Sequence, residues 1–517
     1  MNVLAEEKVA GAMGVETIGV IGAGTIGVIG AGTMGAGIAQ VAASAGHSVV
    51  LFDVASGAAQ NGLQSIRVGL DKLIERGKKS QREVDQLCAR ITPADKIGAL
   101  AAADLIIEAI VENVDIKRSV FSELEAICSE KTIIASNTSS ISISALAAKL
   151  KHPERLIGMH FFNPAAILKL VEVVSGLHTS SEVANTVFDI AKKWGKTPVH
   201  AKSTPGFIVN RIARPYYAEA LRSLNEQAAS VATIDQIMRS SGGFRMGPFE
   251  LMDLIGQDIN LAVSESVYQA YYGDKRFQPS VLQAEMVAGG LLGRKTGRGY
   301  YDYSQDQKGE AEHQPVSESS LDQVTIYGDL GAADELLRLL EKSDVNVQRQ
   351  ASDQAYLQVG NTRLQLCNGL TATHIAANSG HDEVAVFDLA RSYIAAQSIA
   401  VSVAKQASEQ ALQDVLALFS AIDKRVCVIK DLPGMLLMRT VCCLVNEAAD
   451  VVNQGVCKAQ DVDVAMKLGV NYPEGPMEWG ARIGFANVVT VLANLQQSYG
   501  EERYRCSPWL LNQQFVK

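Results

Sequence analysis

The sequence predicts a doubly wound α/β domain, then an all-α domain, a degenerate α/β domain and a second copy of the all-α domain. Three observations predict this order. A glycine-rich turn near the N-terminus sits between a β-branched run and a helical pattern. Strand and helix patterns then alternate to about residue 200, as in a parallel sheet with crossover helices. Finally, residues 205–256 align with 433–484 without a gap at a constant offset of 228, with thirteen identities. That periodicity marks a duplicated unit. The 517 residues are several domains' worth, and 47% apolar with 20% charged side chains is a globular composition.

The turn comes first. TIGVIGAG at 17–24 is followed at once by an identical copy at 25–32, giving two overlapping GxGxxG patterns. The second copy has the full context of a strand–turn–helix unit. After Gly30, Gly32 and Gly35, with Thr33 and Met34 inside the turn, come a helical pattern, Gly46, the strand-like Val49–Phe52 and Asp53. Gly35 to Asp53 is 18 residues, close to the ~20 of a Rossmann dinucleotide site. Gly30 allows the tight turn, Gly32 lets backbone N–H groups approach a pyrophosphate, and Gly35 allows close helix–strand packing. Asp53 accepts the ribose hydroxyls and repels a 2′-phosphate, so NAD is expected rather than NADP. Using the first copy would bury Gly30 and Gly32 in a helix at ~1 kcal/mol each. Residues 17–24 are therefore expected to form a spare strand, a hairpin arm or a disordered stretch. Downstream, 104–108 and 132–135 read as buried parallel strands with an amphipathic helix between them.

Next comes a group of polar motifs: SNTSS at 136–140, GMHFFNP at 158–164, LVEVV at 170–174 and TPGFIVNR at 204–211. Oxidation of an alcohol needs a base that takes the hydroxyl proton while hydride leaves. Histidine suits that task when a carboxylate on its other nitrogen fixes the tautomer. His160 and Glu172 lie 12 residues apart on two expected strands, a spacing that lets them meet. Spacing alone does not separate them from a structural histidine, one of eight, and an ordinary strand-end acid. Ser139 and Asn210 by themselves read as a turn serine and a helix-start amide.

These motifs, in this order after GAGTMG, resemble the (S)-3-hydroxyacyl-CoA dehydrogenase family from about residue 17 to GRKTGRGYYDY at 293–303. The resemblance implies His160 as the catalytic base, Glu172 as its partner, and Ser139 and Asn210 as substrate-positioning groups. It also implies cofactor contacts from Glu112, Lys117, Asn137 and Asn163. The expected substrate is an acyl-CoA thioester, the expected cofactor is NAD, and no metal is called for.

The expected boundaries are 15–203 for the NAD-binding domain, 204–303 for the first helical domain, 304–319 for a polar linker, 320–428 for the degenerate α/β domain and 429–517 for the second helical copy. In that copy Met438 replaces Asn210, so a packing role is expected of it. The second α/β stretch has no GxGxxG, and its strand at 345–347 runs into Gln348 rather than an acid; it is expected to hold no cofactor. This layout resembles the long members of the family from bacterial phenylacetate catabolism, which implies 3-hydroxyadipyl-CoA as substrate. The alternatives are a 3-hydroxybutyryl-CoA dehydrogenase and a catalytically silent nucleotide-binding structural protein.

Charge and cysteine content bound the setting. A net charge of −9 argues against nucleic acid as a partner. No apolar run approaches the ~20 residues of a membrane helix, and the first fifteen residues lack a secretory pattern. Eight scattered cysteines without a CxxC pair read as reduced thiols in a cytoplasmic enzyme. Arg76, Lys78, Lys79 and Arg82 form a basic cluster that suits either coenzyme A phosphates or a solvated helix end. A homo-oligomer, dimer or trimer, is expected, although a second helical copy offers a way to cover the dimerisation surface within one chain.

Overall fold

The computed structural model describes residues 24–304, 309–316 and 321–516. The expectation for 17–24 therefore lies outside the described residues except at Gly24.

The first unit is built on eight strands: β1 (Thr25–Ile29), β2 (Ser48–Phe52), β3 (Ile91–Ala94), β4 (Leu105–Glu108), β5 (Ile133–Ser136), β6 (Leu156–Phe161), β7 (Leu170–Ser175) and β8 (Thr197–Lys202). Their order in the sheet is β3-β2-β1-β4-β5-β6-β7-β8. The order reverses between β1 and β4, which opens a crevice at the carboxyl ends of the strands. The second glycine copy supplies β1 and the turn after it. The sheet is parallel through β6, but β6 and β7 pair antiparallel. Only residues 162–169 connect them, too few for a crossover, so the chain must fold back beside itself. The helix Ser181–Lys193 then makes the return to β8, which runs parallel to β7.

The second unit has β9 (Gln323–Tyr327), β10 (Asn346–Gln350), β11 (Tyr356–Val359), β12 (Thr362–Leu366), β13 (Val384–Phe387), β14 (Ser398–Val403) and β15 (Arg425–Val428). Their order is β10-β9-β11-β12-β13-β14-β15. The strand read at 345–347 extends further, to Gln350, and pairs with β9. The sequence reading missed the β11–β12 hairpin, although Leu357, Val359, Leu364 and Leu366 alternate with polar residues about a Gly360–Asn361 turn.

The repeat reaches further back than the sequence identities do. From β6 onward, elements of the second half begin 228 residues after their counterparts: β6 and β13, β7 and β14, and β8 and β15. The helices Ser181–Lys193 and Glu409–Ser420 obey the same offset, as do Gln257–Ala270 and Phe485–Tyr499. The two helical copies share one apolar cluster. At its centre the helix Leu437–Asn453, buried along almost its whole length, packs on the helix Arg214–Asn225. Two reciprocal ion pairs lock them: Arg211 Nε donates to Glu447 at 2.5 Å, and Arg439 Nε donates to Glu219 at 2.6 Å. Each residue is the repeat partner of its like, so the contact is a two-fold interface inside one chain.

Candidate active site

The turn after β1 has the shape a pyrophosphate needs. Gly30 has φ +94°, and a Cβ there would lie 2.5 Å from the Ala109 carbonyl oxygen. A Cβ on Gly35 would lie 1.8 Å from the Gly30 carbonyl oxygen, so the helix Thr33–Ser44 approaches the strand end this closely only because residue 35 is glycine. Gly32 is different: nothing stands within 4 Å of its Cβ position. It caps the helix Thr33–Ser44 without a side-chain bond, leaving the first N–H groups, including those of exposed Thr33 and half-buried Met34, toward open space. Asp53, just past β2, accepts Ala31 N–H at 2.7 Å and Ala55 N–H at 3.0 Å. It thus ties the turn to the second strand, and the residues present fit a dinucleotide.

The crevice floor is polar. Glu108, at the end of β4 and fully buried, accepts Lys117 Nζ at 2.5 Å, Ile110 N–H at 2.7 Å and the Ser136 hydroxyl at 2.6 Å. Lys117 is 1% exposed and lies 3.2 Å from Glu112. A contact from Lys117 to a cofactor therefore runs through Glu112, whose side chain remains 38% exposed. Glu112 gathers the SNTSS turn: it accepts the Thr138 hydroxyl at 2.6 Å, the backbone N–H of Ser139 at 3.1 Å and the Ser140 hydroxyl at 2.9 Å. Burial pushes its carboxyl up, but the Thr138 hydrogen bond and the Lys117 charge outweigh that and hold it below the usual range. Sequence reasoning missed Glu108, although an acid ending a buried strand was the available signal.

The register of the β6–β7 pair sets His160 directly opposite Glu172. Residues opposite one another in an antiparallel pair project to the same face, and His160 Nδ1 meets Glu172 Oε2 at 2.6 Å. The second carboxylate oxygen accepts Ile208 N–H at 3.1 Å and Val209 N–H at 3.0 Å, at the start of the short helix carrying Asn210. Glu172 is fully buried and His160 is 5% exposed. The rings of Phe162 and Phe207 stand 4.6 and 5.8 Å from the imidazole. An Nδ1–H donated to the carboxylate leaves Nε2 with its lone pair, ready to take a proton. Asn137 staples the neighbouring strand ends, its side chain accepting Phe161 N–H at 2.8 Å. Asn163 is exposed three residues past His160.

Ser139, Asn210 and Glu112 line one cleft of about 290 Å³, walled on the far side by Ile259, Val263 and Val267 of the helix Gln257–Ala270. A base with a charged partner, polar side chains at the mouth and an apolar wall can together deprotonate a hydroxyl on an elongated substrate. Among the described residues, no cluster of three or more His, Cys, Asp or Glu is placed to hold a metal, and no helix is long and apolar enough to cross a membrane. Arg76 and Lys78 are exposed between the helices Ala58–Glu75 and Gln81–Cys88, where Lys79 is half-buried, and Arg82 is exposed in the first turn of the second helix.

Comparison with known proteins adds independent findings. Residues 25–204 match the NAD-binding domain model of 3-hydroxyacyl-CoA dehydrogenase. Residues 206–303 and 434–514 both match its C-terminal domain. Residues 364–433 match a 3-hydroxybutyryl-CoA dehydrogenase reduced Rossmann-fold domain. The chain is 42% identical over 473 residues to 3-hydroxyadipyl-CoA dehydrogenase of Escherichia coli K12, covering 91% of this chain and 94% of the relative. It is 42% identical over 270 residues to a probable 3-hydroxybutyryl-CoA dehydrogenase of Bacillus subtilis, covering 52% of this chain and 94% of that one. A solved structure described as 3-hydroxybutyryl-CoA dehydrogenase from Escherichia coli K12 superposes with a TM-score of 0.87 at 41% identity, covering 95% of this chain and 98% of its own.

Proposed function

Because this chain belongs to the 3-hydroxyacyl-CoA dehydrogenase family and is an NAD-dependent oxidoreductase, we propose that it oxidises (S)-3-hydroxyadipyl-CoA to the 3-oxo thioester. The buried His160–Glu172 pair carries the chemical part of this reading, and Glu172 ties it to the start of the short helix whose Asn210 lines a cleft with Ser139. Similarity along nearly the whole chain to a relative named for that substrate supports the rest.

NAD, when bound, supplies the hydride acceptor, held by Gly30, Gly32, Thr33, Met34, Gly35 and Asp53, with Glu112, Lys117, Asn137 and Asn163 on the nicotinamide side. His160 Nε2 takes the proton of the C3 hydroxyl. Glu172, already bonded to Nδ1, stabilises the imidazolium that results, and its bonds to Ile208 and Val209 keep it from turning away. Ser139 orients the hydroxyl, and Asn210 polarises the thioester oxygen. The phenyl rings beside His160 exclude water from the proton transfer. The same reading puts the enzyme in the cytoplasm, in phenylacetate catabolism. A second reading, 3-hydroxybutyryl-CoA as substrate, is favoured by the description of the superposing structure. An intact dyad weighs against a silent structural role.

NADH formation by the purified chain, compared between the two thioesters, decides. A higher kcat/KM for the dicarboxylate is expected, and preference for the butyryl substrate would leave the chemistry in place and remove the assigned substrate.

A further inference from the structure

The second half keeps a cleft at the place where the first half has its own. A cavity of about 470 Å³ is lined by the turn 329–332 after β9, by Arg363 and Gln365 of β12, by Met438, and by Asn487, Thr490 and Val491 of the helix Phe485–Tyr499. At the offset of 228, Met438 stands for Asn210, and Asn487, Thr490 and Val491 stand for Ile259, Ala262 and Val263. All four of those residues line the cleft of Ser139. The turn after β9 also has the place of the glycine turn, since β9 pairs parallel with β10 as β1 does with β2. The second cavity is larger than the first, at about 290 Å³, although its sheet has seven strands against eight. Loss of the dyad has not closed it.

The lining has changed in kind. The apolar wall of Ile259 and Ala262 has become Asn487 and Thr490, both exposed, and the amide of Asn210 has become a buried methionine. Buried Met438, Cys367 and Val384 give the cavity an apolar floor. Arg363 and Gln365, two apart on β12, project to one face of the strand, and Val384 lies opposite Arg363 on β13. Arg363 is the only cation among the described residues that line the cavity. Its guanidinium lies 5.3 Å from the centre of the Tyr356 ring, which stacks on Tyr327 at 4.5 Å. The buried Nε has no hydrogen-bond partner, and no acid lies within ion-pairing distance of the guanidinium among the described residues. Stacking thus fixes the plane of the group and leaves its fork for a carboxylate. The acid of the lining, Asp329, is exposed and accepts Gly331 N–H at 2.8 Å. Its charge in the turn after β9 disfavours a pyrophosphate there. By contrast, no lysine or arginine is among the described residues that line the first cleft.

We propose that this cavity is a second, non-catalytic ligand site that takes a carboxylate-ended acyl chain. The carboxylate sits on Arg363 and the methylenes lie against the floor of Val384 and Met438, while Gln365 and Asn487 offer hydrogen bonds to the other polar end. A molecule bound there is not oxidised, because the places of the dyad hold Asp388 and Ala400. Only the chain length chosen for the probes rests on the substrate reading above.

The test is calorimetric titration of the full chain with adipyl-CoA, hexanoyl-CoA and free adipate, none of which carries a 3-hydroxyl to oxidise. The wild type is expected to bind one more molecule of adipyl-CoA per chain than of hexanoyl-CoA. Arg363→Met is expected to weaken that additional molecule about 10- to 100-fold. Thr490→Phe, which fills the cleft and leaves Arg363 in place, is expected to remove it as well. Binding of free adipate makes the ligand a free diacid, and binding of adipyl-CoA alone makes it the thioester; either supports the site. Equal numbers of adipyl-CoA and hexanoyl-CoA in the wild type overturn the proposal, as does unchanged affinity for the additional molecule in Arg363→Met. Turnover of 3-hydroxybutyryl-CoA by both variants is expected to stay at the wild-type rate, which shows that they fold. If Arg363→Met does not fold, Thr490→Phe decides. A failure of the substrate reading appears in the turnover comparison of the two thioesters and leaves this count of bound molecules unaffected.

Discussion

In the proposed mechanism His160 and Glu172 divide the catalytic task by position on two strands, and Glu172 has a second task in holding the start of the helix that carries Asn210. Glu172→Gln keeps an oxygen for the Ile208 and Val209 N–H groups but removes the charge beside the imidazole. Its kcat is expected to fall ~100- to 10,000-fold with little change in stability, measured by NADH formation and thermal unfolding together. Gly35→Ala is expected to abolish NAD binding, because its Cβ would stand 1.8 Å from a carbonyl oxygen and the turn must open; a dissociation constant from protein fluorescence checks it. Much of this was legible in the residues. Alternation along GMHFF and LVEVV puts His160 and Glu172 each on one face of a strand, though only the family resemblance chose them among eight histidines.

The β6–β7 hairpin is the element on which the site depends, and the repeat shows the same frame without it. At His160's place the second half has Asp388, and at Glu172's place Ala400. Asp388 accepts the N–H groups of Leu436, Leu437 and Met438, at 3.1, 2.7 and 2.9 Å. The corresponding helix start in the first copy is held by Glu172. One acid therefore keeps the structural half of the dyad's work after the chemical half has gone. Burial pushes Asp388 up to about 6 despite those hydrogen bonds, above the ~3.9 of an unfolded chain. Between these values the folded protein binds the additional proton. Asp388 therefore contributes stability that is fully present below pH ~4 and lost as pH rises through about 6. Asp388→Asn, which cannot titrate, is expected to flatten this part of the stability curve in denaturant unfolding followed from pH 4 to 7. An unchanged slope would mean that the group is ionised throughout. The antiparallel turn of β7 was not legible from strand composition, since LVEVV suits either direction; the eight-residue connection decides it.

At the scale of the whole molecule, the reciprocal pairs Arg211–Glu447 and Arg439–Glu219 close a two-fold helical interface within one chain. Identities at Arg211/Arg439 and Glu219/Glu447 made the duplication legible, but which surface the copies share depends on contacts more than two hundred residues apart. Arg439→Met leaves Glu219 buried with less neutralising charge and is expected to cost about 3–5 kcal/mol of stability in denaturant unfolding. The mass by light scattering is expected to stay the same, since this interface joins no second chain; a change in mass would contradict closure within the chain. We propose that chemistry occurs only in the first half, on the dyad. The most direct measurement is turnover by His160→Gln with NAD binding followed on the same sample. A loss in kcat of at least ~100-fold with NAD affinity unchanged is predicted, and turnover near the wild-type rate would contradict the account.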